Sequence, residues 1–320
     1  MIENGWGNNM EKQFRALPDE YRVEVENEKQ GTIERLQYIV PNLDNGKDAK
    51  QLNVYLPYCY DTTDKDTKYN VLYLMHGGGE DENLIFGGPG QNRELKNILD
   101  NMIANGDIDP IIVVTPTFYG LKNGSKYKKE VYNVESVDHP IPIMETKYFH
   151  DELINDLIPI VETKYNTYAV SGNKEDLIKS RQHRAFGGFS MGSVTTWYTY
   201  INCLDYFKYF MPLSGDCWVF GPKAGSSKAK ETAEYLANIP KLKNYTPEDY
   251  YIFSATGNLD IAYPNMYPQI YAMKEMKDSF IYSPDTNEGN FYFILCDGAD
   301  HTWYWVNQYI YNILPDLFKD

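Results

Sequence analysis

The chain has 320 residues, and its 42% hydrophobic content is enough for one sizeable core. Thirty basic against 45 acidic residues leave a formal charge of −15, which argues against nucleic acid or an anionic membrane surface as a partner. There is no apolar run near the ~18 residues of a membrane span, and four scattered cysteines with no C-x-x-C pair exclude the usual zinc-knuckle and redox signatures.

The substrate implied by this charge is neutral or weakly charged where it meets the protein. Buried free thiols are expected at Cys59, Cys203, Cys217 and Cys296, each in or near an apolar stretch. The opening "MIENGWGNNMEKQF" lacks the charged-then-apolar order of a signal peptide, so the protein is either made without one or is a trimmed mature form, and a secreted or extracellular mature form is the expectation.

From the N-terminal side, residues 22–57 read as two extended segments with alternating stretches, split by the turn-rich "PNLDNGKDA". They predict an antiparallel start to a sheet. In "YNVLYLMHGGG" the alternation gives way to a continuous apolar strand, suited to burial on both faces, that runs into glycines. "QNRELKNILDNMIANG" predicts a helix ending at Gly106, and "DPIIVVTPTFYG" a second buried strand.

Residues 118–145 interrupt the rhythm with a long polar stretch without clear period, a candidate lid or specificity loop. A helix is predicted over 148–165. Strand "HRAFGGFS", helix "MGSVTTWYTYINCLD", strand "FKYFMPLSGD" and helix "SKAKETAEYLANI" follow. Strand "DYYIFSATGN", helix "NMYPQIYAMKEMKDS", strand "NFYFILCD" and helix "TWYWVNQYIYNILPDLF" end the chain. Such alternation predicts an α/β fold, a mainly parallel sheet with helices on both faces, and no linker or repeat divides residues 1–320 into more than one domain.

Gly188-Phe189-Ser190-Met191-Gly192 fits G-x-S-x-G, and it falls between a predicted strand and a predicted helix. That is the context in which the motif holds a serine in a sharp, strained and exposed turn. A serine hydroxyl needs a base, normally histidine, because its own pKa leaves almost no alkoxide at neutral pH. Of five histidines only His301 follows Ser190, in "CDGADHTWYW" between the last strand and the last helix. This suits the order serine, acid, histidine.

Two aspartates follow strands at the appropriate end of the sheet, Asp216 in "MPLSGD" and Asp260 in "SATGNLD". Asp260 is preferred as the acid, and Asp216 suits a role in holding its own loop. The oxyanion of a tetrahedral intermediate needs two N–H donors. Met191, next after the serine, supplies one. Gly78 in "MHGGGE" is expected to supply the other, with Gly77 as the alternative, because glycine lets the backbone approach a substrate closely. His76 is expected to tie that loop through its ring nitrogens. The remaining histidines do not pair with carboxylates at ligand spacing, and "GGG" lacks the rest of a phosphate-binding fingerprint, so neither metal nor cofactor is expected.

With these residues in place, the chain resembles the feruloyl esterases of carbohydrate esterase family 1, an esterase-D-like group of α/β-hydrolases. The marks are "VYLPYCYD", "YLMHGGGEDEN", "VVTPTF", "HRAFGGFSMGS", "NCLDYFKYFMPLSGDCW", "ATGNLDIAYPNMYPQI" and "GADHTWYWV", spread over nearly all the chain from about residue 30.

The resemblance implies Ser190 as nucleophile, His301 as base, Asp260 as acid, and Met191 and Gly78 as oxyanion donors. It also implies Trp218 as the aromatic lining a feruloyl pocket, where its flat face suits a methoxyphenol ring. The implied substrate is a feruloylated arabinoxylan or oligosaccharide ester. An acetylxylan or general short-acyl esterase is the neighbouring alternative, and a non-catalytic carbohydrate-binding protein of hydrolase fold is the alternative of another class. Nothing in the 118–145 segment matches the family, and nothing in the sequence bears on oligomeric state.

Overall fold

The computed structural model describes residues 14–41, 46–120 and 140–319. A long hairpin comes first, β1 (Thr32–Pro41) and β2 (Lys47–Leu56), followed by β3 (Asn70–Met75), α1 (Glu94–Ala104) and β4 (Ile111–Thr115). The helices α2 (Pro140–Glu152), α3 (Ile158–Lys164) and α4 (Lys174–Lys179) lead to β5 (Arg184–Phe189) and α5 (Met191–Cys203). Next are β6 (Tyr209–Leu213), α6 (Ala224–Ser227), α7 (Ala229–Leu242) and β7 (Tyr251–Gly257). The described chain finishes through α8 (Tyr263–Lys274), β8 (Phe291–Cys296) and α9 (Trp303–Ile313).

All eight strands belong to one sheet, in the order β1-β2-β4-β3-β5-β6-β7-β8. β1 pairs with β2, and β2 with β4, antiparallel; every later pairing is parallel. This is the expected α/β-hydrolase architecture, with its antiparallel start.

Strand pleating divides the core in two. Val71, Tyr73, Met75, Phe186 and Phe210 face a cluster filled by α2, α3, α5, α7 and α8. Leu72, Leu74, Ala185, Met211 and Phe253 face a second cluster filled by α1 and α9. Helix α5 is buried almost all round, with Trp197 and Tyr200 fully enclosed, and its threonine hydroxyls donate back to carbonyls one turn earlier. The chain leaves β3 for β4 on one side and returns to place β5 on the other. That reversal opens a crevice at the carboxyl ends of β3 and β5, where open α/β sheets bind ligands.

Four expectations are corrected. Residues 22–31 are not strand: they hold a short 3-10 turn at Asn27–Lys29, and β1 begins only at Thr32. The alternation of "RVEVENE" has no sheet partner, and Val23 is 59% exposed. The helix expected over 148–165 starts earlier, at Pro140, and is interrupted by a π-turn at Leu153–Leu157. Pro159 has no N–H to give the carbonyl one turn back, which disfavours an unbroken α-helix at this point.

The 118–145 segment is therefore helical from Pro140 onward, and residues 121–139 lie outside the described residues. Finally, the cysteines are all free, but Cys59 is exposed rather than buried, in the turn after β2. Among the described residues no helix is long and apolar enough to cross a membrane.

Candidate active site

Ser190 caps the junction of β5 and α5 with φ 58° and ψ −115°. A non-glycine residue there carries strain of order 1–3 kcal/mol, which persists only where surrounding structure enforces it. The neighbouring glycines provide that enforcement. A Cβ on Gly188 would lie 2.5 Å from the Gly192 carbonyl, and one on Gly192 would lie 2.4 Å from the Met75 oxygen at the end of β3. Strand, helix and adjacent strand can pass this closely only as glycine. The Ser190 N–H donates to Leu213 O of β6 at 2.9 Å, fixing the turn from the other side.

His301 lies in the loop between β8 and α9. Its Nε2 is 2.9 Å from Ser190 Oγ, and its Nδ1 is 2.7 Å from Asp260 Oδ1. A carboxylate can only accept, so Nδ1 carries the proton, Nε2 is left with a lone pair, and the Ser190 hydroxyl donates to it. Asp260 follows β7 with its side chain buried, and Oδ1 also accepts from the Ala262 N–H at 2.7 Å. The His301 ring rests against Phe189, with centroids 4.5 Å apart. The structure thus brings Ser190, His301 and Asp260 into one chain of hydrogen bonds.

Asp216 is elsewhere engaged. Its Oδ2 accepts from the Gly225 N–H at 2.9 Å and its Oδ1 from Trp218 Nε1 at 3.1 Å. Burial raises the pKa of its carboxyl, partly offset by those two donors. It holds the loop after β6. Trp218 is half-buried in that loop, three residues beyond Gly215, whose backbone abuts the Ser190 carbonyl. Tyr198 OH donates to the Trp218 carbonyl at 2.8 Å.

In the loop after β3 the two candidate glycines differ. The Gly77 N–H is taken, donating to Glu80 Oε2 at 2.7 Å, and the Gly79 N–H donates to Tyr119 OH at 3.0 Å. Among the described residues no hydrogen bond takes the exposed Gly78 N–H. Gly78 sits against Met191, whose Sδ would be 2.9 Å from a Cβ placed there. Met191 opens α5, so its N–H has no partner within the helix.

His76 is fully buried beneath this loop. Its Nδ1–H donates to Gly77 O and its Nε2 accepts from the Thr117 hydroxyl, both at 2.7 Å. Burial pulls its pKa down to about 4, so the ring stays neutral there.

Two further contacts here join segments remote in the chain, which no local spacing announces: Trp303 Nε1 donates to Glu80 Oε1 at 3.0 Å, and Tyr119 OH accepts from the Gly79 N–H. Among the described residues no cluster of His, Cys, Asp or Glu is arranged to hold a metal ion. The site has the parts for nucleophilic acyl chemistry: a hydroxyl beside an oriented imidazole and, on the neighbouring residues Gly78 and Met191, backbone N–H groups without a partner among the described residues.

Comparison with known proteins agrees with this reading of the fold. A family model described as "Putative esterase" matches residues 47–314. Endo-1,4-beta-xylanase Y of Acetivibrio thermocellus is 42% identical over 308 residues, which is 96% of this chain and 25% of that protein. The chain thus spans about a quarter of that relative's length.

Among solved structures, a serine-to-alanine mutant of the feruloyl esterase module from Clostridium thermocellum, complexed with sinapinate, is 41% identical. It superposes with a TM-score of 0.80 over 98% of this chain and 96% of that one. A carbohydrate esterase family 1 ferulic acid esterase from Anaeromyces mucronatus, in complex with ferulic acid, shares the fold at 20% identity. Its TM-score is 0.63 over 94% of this chain and 96% of that one. The chain belongs to the esterase family that this model describes.

Proposed function

We propose that this protein is a serine carboxylic-ester hydrolase that releases ferulate or related hydroxycinnamates from feruloylated arabinoxylan. The observation that carries the proposal is His301, held by the Asp260 carboxylate at 2.7 Å and facing Ser190 Oγ at 2.9 Å. The substrate class is supported by likeness to the module complexed with sinapinate, and by Trp218 near the elbow.

Ser190 Oγ attacks the ester carbonyl while His301 Nε2 takes its proton. Negative charge develops on the former carbonyl oxygen, toward the N–H groups of Met191 and Gly78. Collapse breaks the C–O bond to the sugar, and His301 returns the proton to the departing alcohol. Water then attacks the acyl-enzyme, His301 again takes a proton, and the acid leaves with Ser190 restored. Asp260 holds the imidazole tautomer and stabilises its charged form throughout.

The test is release of free ferulate from feruloylated arabinoxylan fragments and from methyl ferulate, with 4-nitrophenyl acetate alongside. Wild type should release ferulate and Ser190→Ala should not. Cleavage of the acetate alone, dependent on Ser190, would keep the mechanism and replace the substrate with short acyl esters. No Ser190-dependent cleavage of any ester would overturn the proposal.

A further inference from the structure

We propose that Glu80 is a positioning residue for ester cleavage. Its carboxylate sets the loop that carries the Gly78 donor and ties that loop to the segment that carries His301. The inference rests on the ester-hydrolase reading above.

Residues 77–79 are three successive glycines, the run of chain with the greatest backbone freedom. Donors for a developing oxyanion help only when they are fixed before the charge appears. A free triple-glycine loop would have to be ordered during the reaction. Glu80 removes that freedom from one side, because its Oε2 accepts from the Gly77 N–H at 2.7 Å. Tyr119 removes it from the other, its hydroxyl accepting from the Gly79 N–H at 3.0 Å while its ring stacks on His76 at 5.7 Å. With both flanking amides held, the Gly78 peptide plane has little room to turn.

The second carboxylate oxygen of Glu80 gives the contact its reach. Oε1 accepts from Trp303 Nε1 at 3.0 Å, across 223 residues of sequence. The Trp303 ring meets Phe189 edge-on at 5.2 Å, and Phe189 in turn touches the His301 ring and precedes Ser190. One side chain therefore joins the donor loop, the histidine segment and the elbow. The two N–H donors also draw on the carboxylate's negative charge, which would otherwise oppose an oxyanion forming nearby.

The experiment measures kcat and KM on methyl ferulate and 4-nitrophenyl acetate for wild type, Glu80→Ala, Glu80→Gln and Trp303→Phe. Ser190→Ala serves as the background, and each melting temperature is recorded. Glu80→Ala should lower kcat roughly ten- to hundredfold on both substrates while KM moves less than about twofold, as misplacement of a transition-state donor does. Glu80→Gln keeps one acceptor and should recover part of the loss. Trp303→Phe should lose activity in the same direction, and combining it with Glu80→Ala should add little, since the two share a contact.

Folded Glu80→Ala with wild-type kcat would overturn the inference and leave the ester-hydrolase reading intact. So would a loss seen only in KM. Should Glu80→Ala fail to fold, wild-type kcat in both Glu80→Gln and Trp303→Phe would overturn it equally. Absence of Ser190-dependent cleavage by wild type would overturn the ester-hydrolase reading, and the inference with it.

Discussion

Asp260 and His301 come from different loops, after β7 and after β8, and meet at 2.7 Å with the carboxylate side chain fully buried. A buried carboxylate held against Nδ1 selects the tautomer whose Nε2 can accept a proton from Ser190. Asp260→Asn keeps the shape, but its amide can offer Nδ1 an N–H instead of an acceptor, which favours the wrong tautomer. The expected result is a fall in kcat of roughly 1,000- to 10,000-fold with the fold preserved. Steady-state rates on 4-nitrophenyl acetate, read beside circular dichroism, check this. A folded variant within about tenfold of wild type would remove Asp260 from the mechanism.

A second prediction concerns stability far from the chemistry. Arg184 opens β5 fully buried, and its Nε donates to Glu162 Oε1 of α3 at 2.7 Å. The other guanidinium nitrogens donate to Leu177 O, Tyr206 O and Ser180 Oγ, and Tyr73 OH donates to Glu162. Glu162→Ala leaves that charge buried without its counter-ion and should cost about 3–5 kcal/mol. Specific activity of the remaining folded protein should not change, because the pair lies at the opposite end of β5 from Ser190. Urea denaturation and active-site titration separate the two effects. A variant as stable as wild type would show that the two carbonyls and the Ser180 hydroxyl suffice for Arg184.

The central strands were legible because burial on both faces leaves continuous apolar runs such as "NVLYLM" and "IIVVT". The segment at 22–31 misled for the converse reason: alternation is necessary for an edge strand, yet a partner strand is also needed. Helices α4 and α6 are too short to show a period, and α4 is marked only by the Asn173 cap, whose side chain accepts from the Asp176 N–H. Ser190 and His301 could be read from sequence, since one motif and one downstream histidine leave no competitor. Which of the Gly77 and Gly78 amides is left free could not be read with the same force. It turns on Glu80 occupying the Gly77 amide, and on a partner for Glu80 supplied from α9.

The buried ring of His76 predicts how stability responds to acid. Its pKa falls from 6.5 to about 4 through burial. In the unfolded chain the imidazole gains a proton below about pH 6.5, while in the folded protein it does so only near the lower value. Between these values the unfolded state binds more protons, so stability is fully present above the upper value. It declines as the pH falls through the window, by at most roughly 3 kcal/mol from this group. Other groups titrate in the same range, so the measurement is a difference. The stability gap between wild type and His76→Gln, from urea midpoints, should be larger at about pH 7 than at about pH 4.5. An equal gap at both would mean that His76 takes up its proton as readily in the folded protein as in the unfolded chain.

Trp218 is anchored at one edge, through Nε1 to Asp216 Oδ1, and its carbonyl is fixed by Tyr198 OH. An indole held by its edge keeps a face for another ring, and the loop that carries it abuts the elbow at Gly215. If that face receives the hydroxycinnamoyl ring, Trp218→Ala should raise KM for methyl ferulate by about tenfold, the scale of one lost aromatic contact. Because the acetyl group has no ring to stack, KM for 4-nitrophenyl acetate should stay within about twofold. Trp218→Phe should fall between, keeping a ring but losing the bond to Asp216. A parallel loss on both substrates would instead mean that the indole only supports the loop after β6, and the aromatic acid would then have to be recognised by other residues.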